Sequence, residues 1–314
     1  MPYSITGRYS SRRAATRPRK TYRRYAAKKR TYRKRAVRSY RKPMSKRKIL
    51  NVTSEKKRDK MLTWTNTTAA NPSGGTTYSA NPAILAGGSP TIYCFPFCAT
   101  ARDNTTGVGG TNGAGIKYDA STRTSTTCYM VGLKERLEIQ VADGLPWQWR
   151  RICFTAKGKA TLNSALPTPG SSFAPTIEIS VGFTRVINGL NATQQSAFYA
   201  LLFQGTFNDD WVDPMTAQLD RERITVKYDK TCTIASGNED GVIRAYNRWH
   251  PMRHNLVYDD DETGGTTTPA AFSALGKAGM GDYWVVDFFK PRIGSSSTNQ
   301  LSFNAESTLY WHEK

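Results

Sequence analysis

From Met61 onward, apolar positions come in short runs that alternate with polar ones and do not recur every third or fourth residue. Ile177, Ile179, Val181 and Phe183 alternate with Glu178, Ser180 and Gly182; Leu137, Ile139 and Val141 alternate with Glu138 and Gln140; Ile224, Val226 and Tyr228 follow the same rule. A period of two places every second side chain on one face of an extended chain, so the pattern predicts strands. They are expected near 61–67, 91–99, 128–141, 147–157, 176–187, 222–235, 241–257, 281–290 and 301–312. Breakers separate them, among them Asn71-Pro72-Ser73-Gly74-Gly75, the run Gly107 to Gly115, Asp143-Gly144 and Gly264-Gly265.

One helix is expected, Asn191 to Gln204, with a cap in Asn191 or Thr193, Phe198, Leu201 and Leu202 at helical spacing, and Gly205 as its stop. Short strands joined by long loops point to two packed antiparallel sheets. The strand number and the loop lengths favour one arrangement over an immunoglobulin-type sandwich. The expected class is all-β: an eight-stranded antiparallel jelly-roll sandwich with long loops and one short helix. The aromatic stretches Trp147 to Trp149, Tyr283-Trp284 and Tyr310-Trp311 are expected in its core.

Before Met61 the alternation is absent and charge takes over. Of the 45 Lys and Arg, 24 lie in residues 1–60 beside only two acids, Glu55 and Asp59. The whole-chain charge of +21 is therefore a segment of +22 joined to a body of −1. Through Ser54 there is no carboxylate to offset repulsion, and such a segment cannot collapse by itself. The expected organisation is a basic, partly disordered arm over 1–50, followed by a folded domain over 51–314.

Within the arm, the candidate nucleic-acid contacts are Arg12, Arg13, Arg17, Arg19, Lys20, Arg23, Arg24, Lys28, Lys29, Arg30, Arg33, Lys34, Arg35, Arg38, Arg41, Lys42, Lys46, Arg47 and Lys48. Tyr22, Tyr25, Tyr32 and Tyr40 interleave with them. Guanidinium groups fork onto phosphate oxygens, lysines add point charge, and released counterions make such binding salt-dependent. A tyrosine face stacks on an unpaired base at roughly 1–3 kcal/mol, so the combination suits single strands read with little base specificity. The clusters Lys28, Lys29, Arg30, Arg33, Lys34, Arg35 and Lys46, Arg47, Lys48, the last with Lys56-Lys57-Arg58 beyond, also have the form of a nuclear import address.

Other chemistry is thin. No run approaches the roughly 18 apolar residues of a membrane helix, and no apolar stretch follows the first basic residues as a signal peptide requires. The expectation is a protein neither membrane-spanning nor secreted, with Cys94, Cys98, Cys128, Cys153 and Cys232 as reduced thiols. His250 with His254, and Cys94 with Cys98, have metal-like spacings, but the pairs lie far apart and Pro251 interrupts the histidines. His312 reads as a terminal strand residue. The glycine run Gly107 to Gly115 lacks a following Gly-Lys-Ser/Thr and reads as a surface loop. Asp259-Asp260-Asp261-Glu262 reads as a solvated acidic loop, and Asp209, Asp210 and Asp213 as loop caps. No metal, no cofactor and no enzymatic activity are expected.

The stretch Ile49-Leu50-Asn51-Val52-Thr53-Ser54-Glu55-Lys56-Lys57-Arg58-Asp59-Lys60-Met61-Leu62 resembles a viral coat protein. So do Gly132-Leu133-Lys134-Glu135-Arg136-Leu137-Glu138-Ile139-Gln140 and Asp143-Gly144-Leu145-Pro146-Trp147-Gln148-Trp149-Arg150-Arg151. The family is that of the genomoviruses, small circular single-stranded DNA viruses related to the geminiviruses of plants. The resemblance implies a jelly-roll capsid subunit, a closed icosahedral shell of 60 copies (T=1), and an inward-facing arm that packages single-stranded DNA. It also implies assembly in the host nucleus with the help of an import receptor, and residence in the virion. Composition alone leaves open a monomeric nuclear or ribosomal RNA-binding protein with a basic tail.

Overall fold

The computed structural model describes residues 44–89, 92–157, 176–190 and 192–314. Eight strands build the sandwich: β1 (Glu55–Met61), β2 (Tyr93–Cys98), β3 (Thr127–Val141), β4 (Trp147–Ala156), β5 (Thr225–Ile234), β6 (Val242–Val257), β7 (Asp282–Pro291) and β8 (Gln300–Glu313). The first sheet runs β1-β8-β3-β6 and the second β5-β4-β7-β2, every pairing antiparallel. The chain thus passes back and forth between the sheets, and its last strand returns beside its first. That is the jelly roll, with two interlocked Greek keys. A short strand, Ala83–Ala86, pairs with β8 ahead of β1, from Gln300 to Phe303.

The two sheets carry different burial patterns, and the difference explains their sequences. In β1, β3 and β8, alternate residues are buried, because one face meets the second sheet and the other meets solvent. In β2, β4 and β7 nearly every residue is buried. The inner faces of the two sheets close over Leu137, Ile139, Phe95, Trp149, Phe289 and Phe303, and further along over Leu133, Phe97, Cys153, Val285 and Trp311. The outer face of the second sheet is covered as well. Helix α2 (Ala192–Leu202) and the chain after it lay Phe198, Leu202, Phe203 and Leu219 on Ile152, Phe154, Trp284, Val286 and Phe288. Each fully buried side chain of this size contributes about 1.5–3 kcal/mol. Trp147, Trp149, Tyr283, Trp284 and Trp311 are core residues, whereas Tyr310 points outward.

Three expectations are corrected. The first strand is not 61–67 but the charged run Glu55–Met61, whose inward positions are Lys57, Asp59 and Met61. The stretch 176–187 is not one sandwich strand. Ser180 and Val181 turn the chain between Glu178–Ile179 and Gly182–Phe183, Gly182 takes φ +109°, and Arg185–Ile187 pairs in parallel with Thr63–Thr65. There is also a second helix, α1 (Lys46–Thr53), immediately before β1. Among the described residues no helix is long and apolar enough to cross a membrane, and all five cysteines are free.

Candidate nucleic-acid interface

Most of the predicted contacts, Arg12 through Lys42 with Tyr22, Tyr25, Tyr32 and Tyr40, lie outside the described residues. Lys46, Arg47 and Lys48 open α1, where Lys46 and Lys48 are exposed. The helix closes as the Thr53 hydroxyl donates to the Ile49 carbonyl (3.0 Å) and the Ser54 N–H to that of Leu50 (3.0 Å). From there β1 sorts its charges by parity. Inward, the Lys57 ammonium sits 3.5 Å from Glu313 and donates to the Thr122 carbonyl (2.8 Å), while Asp59 accepts from Arg102 (3.2 Å). Outward, Lys56, Arg58 and Lys60 are exposed. With Lys57 inside, Lys56-Lys57-Arg58 does not present three consecutive cations, and that part of the import-address reading is withdrawn.

The sequence reading missed a second cluster at the centre of the sandwich. Arg151 of β4 grips both oxygens of Asp287 on β7 (2.7 and 2.8 Å) and donates to Glu135 on β3 (2.6 Å). Arg185 bridges the same two carboxylates (3.3 Å to Glu135, 3.1 Å to Asp287). His250 of β6 lies 3.1 Å from Glu135, and Trp149 donates to Asp287 (2.8 Å). Two guanidiniums and two carboxylates thus neutralise one another where no water reaches. Burial alone would push Glu135 up, but Arg151, the bond from His250 and Arg185 hold its carboxyl well below the usual range. The sequence signals were Glu135, a charged residue at an inward position between Leu133 and Leu137, and Asp287, a lone charge within an apolar run.

The Cys153 sulfur lies 3.7 Å from the other ring nitrogen of His250, so thiol, imidazole and carboxylate stand in the order a nucleophilic site uses. The chemistry does not follow. Cys153 is wholly buried, and burial pushes its thiol far above the ordinary value, with Glu135 and Asp287 adding to the rise. A nucleophile needs a thiolate and an approach for substrate. The cluster is a clamp that ties β3, β4, β6 and β7 to one another and to the short strand Arg185–Ile187.

The remaining candidates separate in the same way. Cys94 and Cys98 pack in the layer under α2, whereas His250 faces Glu135 and Cys153, so the two pairs with metal-like spacing are not brought together. Among the described residues no three His, Cys, Asp or Glu are grouped to hold a metal. His254 lines an open groove of about 670 Å³ with Lys157, Lys227 and Arg253. The acidic loop is not simply solvated: the Asp260 carboxylate is shielded from solvent and receives a bidentate pair from Arg123 (2.6 and 2.8 Å). Burial opposes its ionisation, yet the bonds from Arg123 keep it below the ordinary value. Asp261 and Glu262 stay exposed on the hairpin Asp261–Thr263/Thr266–Thr268. Asp210 and Asp213 do cap their loop, accepting from the Thr206 (2.7 Å) and Met215 (2.8 Å) N–H groups.

No protein-family model matches this chain. No curated protein matches it either. Among solved structures, the VP1 pentamer of human polyomavirus 6 aligns over 86% of this chain and 95% of its own, at 10% identity and a TM-score of 0.15. That likeness is too slight to carry an argument.

Proposed function

We propose that this chain is the coat protein of a small single-stranded DNA virus, of the genomovirus kind its sequence resembles. Sixty copies close an icosahedral shell, the basic arm holds the genome inside it, and basic clusters of the arm direct the protein to the host nucleus. No catalytic step belongs to this role. The observation that carries the reading is the partition of charge: with β1 counted in the sandwich, an arm over 1–50 of +20 precedes a jelly-roll domain over 51–314 of +1. A body near neutrality lets copies approach one another, while the arm supplies the cations. Sixty arms bring about 1,200 positive charges, which neutralise on the order of 1,200 phosphates of a strand. That is a genome of one to two kilobases. Loops also carry apolar side chains out to solvent, Val181 at 73% and Ile293 at 94% exposure, where contact between copies would cover them.

The test is negative-stain microscopy of the purified chain at low salt, with and without circular single-stranded DNA. Closed shells of uniform size are the expected result. Persistent monomers under every condition would overturn the reading in favour of a nuclear or ribosomal RNA-binding protein with a basic tail. A companion measurement removes residues 1–48, which should remove most of the salt-sensitive DNA binding; undiminished binding would refute the role given to the arm.

A further inference from the structure

The solvent face of the first sheet is not evenly polar. Register places Lys60 of β1 beside Thr308 of β8, Lys134 of β3 and Trp249 of β6, a row of four strands about 14 Å across. The next outward row brings Arg58 beside Tyr310 and Gly132, and the one after it Lys56 beside His312 and Tyr129. Four cations therefore surround a set of rings at one end of the face. The face's carboxylates, Glu306 opposite Arg136 and Glu138 opposite Asn304, lie toward the other end.

The rings are available. Trp249 is 47% and Tyr129 41% exposed, the Trp249 and Tyr310 centroids are 5.9 Å apart, and those of Tyr129 and His312 6.1 Å. Gly132 makes the first pair possible: a Cβ there would come within 2.6 Å of the Trp249 ring, so only glycine lets the indole lie against the backbone of β3. A half-exposed indole seated against the backbone of a sheet, with cations in the rows around it, has the make-up of a stacking platform for unpaired bases. It is ill suited to meeting its own copy, because two such faces would repel.

We infer that this face is a second contact for single-stranded DNA, with Trp249 and Tyr310 stacking on bases and Lys56, Arg58, Lys60 and Lys134 meeting phosphates. The inference rests on the proposed function for the identity of the ligand. It adds that the folded body, and not the arm alone, holds the strand. Binding at the face has a stacking component that salt does not screen.

Photo-crosslinking tests it. The full chain is irradiated with an oligo(dT) 20-mer carrying 5-iodouracil, and the adducts are mapped by mass spectrometry. Adducts are expected at Trp249, Tyr310 or Tyr129 in addition to the arm. In 0.3 M salt, Trp249→Ala should weaken binding on the order of tenfold, the loss of one stacked base, while Trp249→Phe keeps most of it and both variants melt like the parent. Adducts confined to residues 1–48, with the affinity of Trp249→Ala unchanged, would overturn this inference and leave the proposed function standing. Burial of Trp249 against a second copy, detected as an interchain crosslink at that position, would overturn it equally. Absence of any DNA binding by the full chain would overturn the proposed function and this inference together.

Discussion

Replacing Asp287 by Asn tests the central clamp with almost no change of shape. Asp287 presents two oxygens to four donors: Arg151 Nε and Trp149 Nε1 on one, Arg151 Nη2 and Arg185 Nη2 on the other. Asn keeps one acceptor oxygen and turns an NH₂ toward two guanidinium N–H groups, so two charge-assisted bonds are lost. The cluster is also left with one buried positive charge unbalanced, since Arg151 and Arg185 would then face Glu135 alone. Removing one partner of a buried pair costs about 3–5 kcal/mol, a large share of the roughly 5–15 kcal/mol that holds a domain together. At roughly 2–4 °C per kcal/mol for a domain of this size, the midpoint should fall by about 10 °C in a thermal melt of the purified chain followed by circular dichroism. Asp261→Asn, on the exposed hairpin, is the reference and should move the midpoint hardly at all. If Asp287→Asn melts within about 3 °C of the parent, the guanidiniums find other partners and the clamp does not hold the strands as argued.

Two further predictions concern single residues. Lys57→Ala should cost about 3 kcal/mol in urea unfolding, because it strands Glu313 in the core, while its neighbour Lys56→Ala costs under about 0.5; equal effects would mean that β1 does not have the parity described. Asp282 is buried, and desolvation lifts its pKa from 3.8 to about 6 despite bonds from Ser273 and Thr100. A raised carboxyl stabilises the fold below its unfolded pKa and loses that contribution as pH rises through the folded one, here between about 4 and 6 and by about 3 kcal/mol. Asp282→Asn should therefore gain stability relative to the parent between pH 4.5 and pH 7.5, and a constant difference across that range would refute the account.

How far the fold was legible depended on what each strand packs against. β3 and β8 face the core on one side only, so Leu137, Ile139 and Val141 announced their strand by alternation. β7 reads Trp284-Val285-Val286-Asp287-Phe288-Phe289 with little alternation because α2 buries its second face, yet its apolar density sufficed to place it. β1 was lost for the opposite reason. Lys57 and Asp59 look like solvent-facing charges until Glu313 and Arg102 arrive from elsewhere in the chain, and no local pattern carries that information. The same holds for the clamp, whose members Glu135, Arg151, Arg185 and Asp287 are scattered along the sequence and meet only once the sheets stack. Trp249 likewise gained its meaning from Gly132, which register brings to it from a neighbouring strand.

The rims of the two sheets set how copies of this protein are able to meet. β1 lines its rim with Lys56, Arg58 and Lys60, and β5 with Lys227 and Lys230. On β2, Pro96 offers no N–H to an incoming strand. β6 breaks register between Pro251 and His254, with Arg253 in a left-handed conformation at φ +54°. Charge, proline and a bulge are the devices that stop one sheet from continuing into the next molecule. Edge-to-edge pairing into fibres is thereby disfavoured, which leaves the faces and loops of the body as its open surfaces.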